Sequence, residues 1–141
     1  MSILEKMSQT SDGVLESSQN VKEILSELRG AGYFAVLVDR ATVFDKATLL
    51  HALYQSCVFH AYFGFNWDAL EDTLLDFSWL DFSWLGVTQQ EVKGYVLVFR
   101  NFAVLEERAE NVAETFFEIV RDVAKVRREK KAAPLYVVVV R

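Results

Sequence analysis

Three short apolar runs constrain this chain most: YFAVLVD at residues 33–39, GYVLVF at 94–99 and LYVVVV at 135–140. Each is rich in β-branched and aromatic residues and short enough for a strand. None alternates apolar with polar, so each needs cover on both faces, as the strands of a parallel sheet do. The segments between them carry helical periodicity, and strands separated by helices imply parallel βαβ units. The predicted fold class is α/β, a three-stranded parallel sheet flanked by helices, with an extra N-terminal helix.

That first helix is marked by Val21, Ile24, Leu25 and Leu28 at i, i+3, i+4 and i+7. Ser18 or Asn20 can cap it, and Gly30 and Gly32 end it. Asp45 can cap a helix carrying Leu49, Leu50, Leu53 and Tyr54. Another starts at Asn66. A long one over residues 106–125 puts Val112, Phe116, Ile119, Val120 and Val123 on its core face, and Pro134 stops any continuation. Residues 1–18 are polar, which predicts a flexible tail before a single domain at 19–141. The chain has 141 residues, enough for one proper core without staples.

The net charge of −5 argues against nucleic acid as the direct partner, because phosphate binding needs a basic surface. It suits a basic protein partner. One cysteine, Cys57, permits no intrachain disulfide and fits a reducing compartment. It follows an apolar helical stretch and reads as a buried small hydrophobe. The first 13 residues hold no apolar leader segment, and no apolar run approaches the ~18 residues of a membrane span. A soluble, cytoplasmic, monomeric protein is expected. His51 and His60 belong to no HExxH pattern, and there is no DxDxDG loop, Gly-rich phosphate loop or GxSxG. No cofactor and no enzymatic activity are therefore predicted. The basic run KVRREKK at 125–131, with Glu129 inside it, reads as a solvated helix end. The unit DFSWL occurs twice, at 76–80 and 81–85. A five-residue step turns a helix by about 140°, so of Trp79 and Trp84 one is core and the other partly exposed.

The stretch NWDALEDTLLDFSW, from 66 to 79, holds four carboxylates and no cation; the nearest Lys or Arg are Lys46 and Lys93. On a helical wheel with Asp68 at the origin, Asp72 falls near ~40°, Asp76 near ~80° and Glu71 near ~−60°. Leu70, Leu74, Phe77 and Trp67 lie opposite, so the helix is amphipathic with a carboxylate stripe outward. Acids in the first turn complement the helix dipole, and Asp68 with Glu71 has the spacing of a capping box. That accounts for two of the four. Asp72 and Asp76 lie further along and repel their neighbours at i,i+4. Composition alone does not choose between a solvated face and a binding face. A catalytic carboxylate cluster for Mg²⁺ or acid–base chemistry is disfavoured, because one helix face supplies no convergent partner.

The run YFGFNWDALEDTLLDFSWL at 62–80 resembles the signature segment of the barstar family, small intracellular inhibitors of bacterial ribonucleases. The matching residues are Tyr62, Phe63, Gly64, Asn66, Trp67, Asp68, Ala69, Leu70 and Asp72. In weaker form the resemblance extends over residues 33–140. It implies the same three-stranded parallel fold. It also implies a mechanism, in which the signature helix and the loop before it plug the nuclease active site. Asp72 would stand in for a substrate phosphate, Asp68 would bind at the rim, and Tyr62 would pack over the catalytic groups. Asp122 lies about where the family places an acid on its long C-terminal helix. The expected partner-binding set is Tyr62, Asn66, Asp68, Glu71, Asp72, Asp76 and Asp122, and the expected partner is a basic ribonuclease. The alternative is a protein that kept this fold for a non-nuclease partner. Three features depart from the family pattern: Glu71 where the best-known member has an aromatic contact, His60 where many members have Pro, and the doubled DFSWL.

Overall fold

Successive residues of the central strands face opposite cores, and this sorts the protein into three layers. A computed structural model describes residues 2–39, 42–57, 63–77 and 92–141. Its sheet has four parallel strands, β1 (Val14–Glu16), β2 (Phe34–Val38), β3 (Tyr95–Arg100) and β4 (Leu135–Val140), in the order β1-β4-β3-β2. Tyr95, Leu97 and Phe99 of β3, with Leu135, Val137 and Val139 of β4, face one core. Val96, Val98 and Val138 face a second core on the opposite side. The two central strands are buried on both faces, which explains their unbroken apolar sequences.

The larger core is built with α3 (Lys46–Cys57), α4 (Trp67–Leu75), α5 (Ala103–Arg108) and α6 (Glu110–Glu129). Leu49 and Leu53 of α3, Leu70 and Leu74 of α4, and Phe116, Val120 and Val123 of α6 are fully buried there. Asp45 caps α3 as expected, its Oδ1 accepting from the Thr48 N–H at 2.9 Å. The single long helix predicted over 106–125 is instead two. Ala109 breaks from helical geometry at φ −147, ψ 65. Phe102 and Leu105 are both fully buried, and Phe102 meets Phe99 edge-on at 4.9 Å. The chain turns at Ala109 after seating these side chains, and α6 then runs back over the sheet.

The second core is closed by α1 (Ile3–Gln9) and α2 (Val21–Gly30), through Ile3, Met7, Ile24, Leu25 and Leu28. This corrects two expectations. The sheet has four strands, not three, because Val14–Glu16 adds an edge strand beside β4. Residues 3–16, read as a loose tail, form α1 and β1. The Ser2 hydroxyl caps α1 by accepting from the Glu5 N–H at 3.2 Å. Lys6 Nζ donates to the Glu16 carbonyl at 2.9 Å. Gly13 sits at φ 83, and a Cβ there would lie 2.9 Å from the Ala124 Cβ, so glycine is required twice over. Gly32 follows the end of α2 at φ 94, in the left-handed region that glycine adopts readily.

Candidate partner-binding face on helix α4

The candidate face begins with its cap. Asn66 is extended, and its Oδ1 accepts from the Ala69 N–H at 2.7 Å. Its Nδ2 donates to the Gly64 carbonyl at 3.3 Å. The side chain thus starts α4 and ties the preceding loop to it. With Asn66 as cap, Asp68 lies second in the helix and forms no capping box with Glu71. Leu70, Thr73 and Leu74 turn inward, and the Thr73 hydroxyl donates back to the Ala69 carbonyl at 2.7 Å. The opposite side carries Asp68 and Asp72, both exposed, and the half-buried Glu71.

Among the described residues the ion pairs are Arg100–Asp39, Arg121–Asp12, Arg141–Glu16 and Arg141–Glu106. None involves Asp68, Glu71, Asp72 or Asp122. A cation does approach the start of the helix. Lys46, 21 residues before Trp67 in sequence, sits with its Nζ 5.2 Å from the centre of the Trp67 ring. Trp67 is half-buried against the larger core rather than enclosed by it.

Asp76 departs from the predicted stripe. The helix ends at Leu75, and Asp76 is the C-cap in extended geometry at φ −136, ψ 113. Phe77 follows into the core, stacked on Tyr95 at 3.9 Å and 10°. Over this pair lies Arg127, with its guanidinium 5.1 Å from the Phe77 ring and 5.2 Å from Tyr95. Arg127 is 6 % exposed, so the basic run is not wholly a solvated helix end. Its Nη1 donates to the Leu75 carbonyl and its Nε to the Ala133 carbonyl, each at 2.7 Å. Burial pushes this guanidinium down from its ordinary value, and the fields of Tyr95 and Asp76 oppose that shift. Asp76 therefore belongs to the surroundings of Arg127, and the outward stripe on the helix is Asp68, Glu71 and Asp72.

Asp122 is exposed on α6, the helix against which α4 packs. Tyr62 lies outside the described residues, as do His60, Trp79 and Trp84. His51 is exposed on α3, with its ring 4.5 Å from that of Phe65. Cys57 is buried, and burial pushes its thiol up to about 12. Among the described residues no group of three or more His, Cys, Asp or Glu is placed to hold a metal ion. No described helix is long and apolar enough to cross a membrane.

A family model, Barstar (barnase inhibitor), matches residues 33–139, most of the chain. The chain belongs to the barstar family. The match begins at the end of the α2–β2 turn, so α1, β1 and α2 lie outside it, while α4 and its acids lie inside. The parallel sheet flanked by helices agrees with this membership, with β1 as a fourth strand contributed from outside the matched residues. No curated protein matches the chain. Sequence reasoning missed two residues at the start of α4: Phe65, which precedes the Asn66 cap, and Lys46, which lies over Trp67. Phe65 sits in an apolar stretch that looks like core, and Lys46 reaches Trp67 only through the fold.

Proposed function

We propose that this barstar-family chain is a protein inhibitor that docks the α4 face and the loop before it into the active site of a basic bacterial ribonuclease. One observation carries the proposal. Asp68, Glu71 and Asp72 line the outer side of α4, and no cation of the described chain pairs with them. A nuclease site that holds RNA phosphate is basic, so it supplies the missing counter-charge. A like-signed patch also steers such a partner, raising association rates by ~10–10³.

In this reading Asp72 stands in for a substrate phosphate and pairs with Arg and Lys of the enzyme. Asp68 binds at the rim, Tyr62 covers the catalytic groups, and Asp122 adds a contact from α6. Asn66 holds the loop and helix in fixed relation. Glu71 and Asp76 extend the negative field. The chain itself carries out no chemistry and needs no cofactor, and it acts as a monomer in the cytoplasm. Glu71, where the family's best-known member presents an aromatic contact, favours a second reading: the same fold and face serving a non-nuclease protein partner.

The test is inhibition of a small basic guanyl-specific bacterial ribonuclease, titrated with wild type and Asp72→Ala at low and moderate salt. Wild type is expected to inhibit stoichiometrically. Truncating one side of a desolvated charge pair costs about 2–5 kcal/mol, a range to which the barnase–barstar pair itself contributes. Asp72→Ala should therefore inhibit at least ~30-fold more weakly, and added salt should weaken wild type. Absence of inhibition at micromolar protein would remove the nuclease and leave the second reading.

A further inference from the structure

Among the described residues two large apolar side chains are substantially exposed, Phe44 at 40 % and Phe65 at 37 %. Phe65 stands out because it immediately precedes the α4 cap, Asn66, and lies three residues before Asp68. Its backbone is in the left-handed region at φ 51. A bulky residue is uncommon there, whereas Gly or Asn adopts this conformation readily. The ring is nevertheless held on its inner side by three others: His51 at 4.5 Å and Tyr54 at 5.0 Å, both from α3, and Phe63 at 5.0 Å. An aromatic ring is thus fixed in place at a strained position and still partly open to solvent. Core packing does not require that combination, because Phe63 already fills the buried place at 4 % exposure.

We infer that Phe65 is a contact residue of the α4 interface and that its open ring face receives an arginine side chain of the basic partner. The inference rests on the proposed function. Charge complementarity selects the occupant. The nearest charged residue ahead in the chain is Asp68, which has no ion-pair partner among the described residues, so the group that arrives is cationic. A flat guanidinium stacks on an aromatic face better than an ammonium does. The protein already uses a cation over an aromatic ring at this end of α4, where Lys46 lies over Trp67 at 5.2 Å.

The experiment compares inhibition of the same small basic ribonuclease by wild type, Phe65→Tyr, Phe65→Leu and Phe65→Gly, with each variant's thermal unfolding recorded to confirm that it is folded. Phe65→Tyr keeps the ring and should inhibit like wild type. Phe65→Leu and Phe65→Gly should be weaker by about 30-fold, the scale of a desolvated cation–aromatic contact. Inhibition by folded Phe65→Gly within twofold of wild type, with Asp72→Ala still impaired, would overturn the inference and leave the proposed function standing. Wild-type inhibition by Phe65→Leu beside a weak Phe65→Gly would overturn the arginine and make the contact merely apolar. Failure of wild type itself to inhibit would overturn the proposed function and this inference with it.

Discussion

The acids around the N-terminal layer and the acids on α4 are treated differently by the same fold. Asp12 meets Arg121 at 3.1 Å, and Glu16 and Glu106 share Arg141 at 2.7 Å each. The Glu106 contact is a two-pronged one, with Nε and Nη2 of Arg141 at 2.7 and 3.0 Å. These pairs tie β1 and α5 to Arg141, directly after β4, and they tie the turn before β1 to α6. On α4, three carboxylates stand together and none has such a partner among the described residues. A chain that pairs its acids where they join elements has left this set unpaired on a solvent face. Local rules broken without a local gain are expected at functional sites.

If the N-terminal layer were only loosely attached, its ion pairs would hold nothing. Ile3 is fully buried in the second core, outside the family match. Ile3→Ala is expected to cost about 2–5 kcal/mol in chemical denaturation, as truncations of fully buried aliphatic residues do. A loss under about 0.5 kcal/mol would return α1 to the status of a dispensable tail. Arg127→Met comes next, at about 2–3 kcal/mol. It keeps the length of the side chain and leaves the Leu75 and Ala133 carbonyls without their donor. It removes an anchor at the end of α4, and the measurement is again the denaturation midpoint.

What could be read in advance follows from how local each signal is. β3 and β4 were legible because each is an unbroken apolar run bounded by Gly94 or Pro134. The start of α4 was legible because one residue, Asn66, caps it. Its end was not: no Gly or Pro marks Leu75, and a helical wheel carries Asp76 onto the stripe by assuming the helix continues. The α5–α6 break is equally silent, because Ala109 is a good helix former that yields to the seating of Phe102 and Leu105. β1 is three residues in a polar stretch, recognised only by its pairing with β4. Arg127 could not be told from its basic neighbours, because what distinguishes it is a carbonyl 52 residues away. Of the predicted partner-binding set, Asn66, Asp68, Glu71 and Asp72 come together on one helix. Asp76 caps the end of that helix, Asp122 is exposed on α6, and Tyr62 lies outside the described residues.

Among the paired acids, the weakest effect is expected from Arg141→Ala. It removes two ion pairs at once, from Glu16 and Glu106. The Arg141 side chain is 41 % exposed, and solvent screening holds exposed pairs to roughly 0.2–1 kcal/mol. A loss near the top of that range, shrinking as salt is added, is the expected denaturation result. The two-pronged geometry is what places it there.

The smallest effect is the most informative, and it belongs to Asp72→Asn. Asp72 is exposed in the middle of α4, beyond the first turn where the helix dipole favours acids. Four residues before it stands Asp68, and like charges at that spacing destabilise a helix by roughly 0.2–0.5 kcal/mol. Neutralising Asp72 while keeping its shape should therefore leave stability unchanged or raise it by a few tenths of a kcal/mol. The gain should fade as salt screens the repulsion. Asp68→Asn should gain less, because Asp68 also faces the N-terminal dipole and gives up that benefit. The same Asp72→Asn change removes a full charge from any partner contact. A loss of stability above about 0.5 kcal/mol would mean that Asp72 serves the fold after all, and the distinction between the two sets of acids would fail at its central residue. A neutral or stabilising change, in a variant that has lost its grip on a basic nuclease, would mean that this carboxylate is kept for the partner at the expense of the helix that carries it.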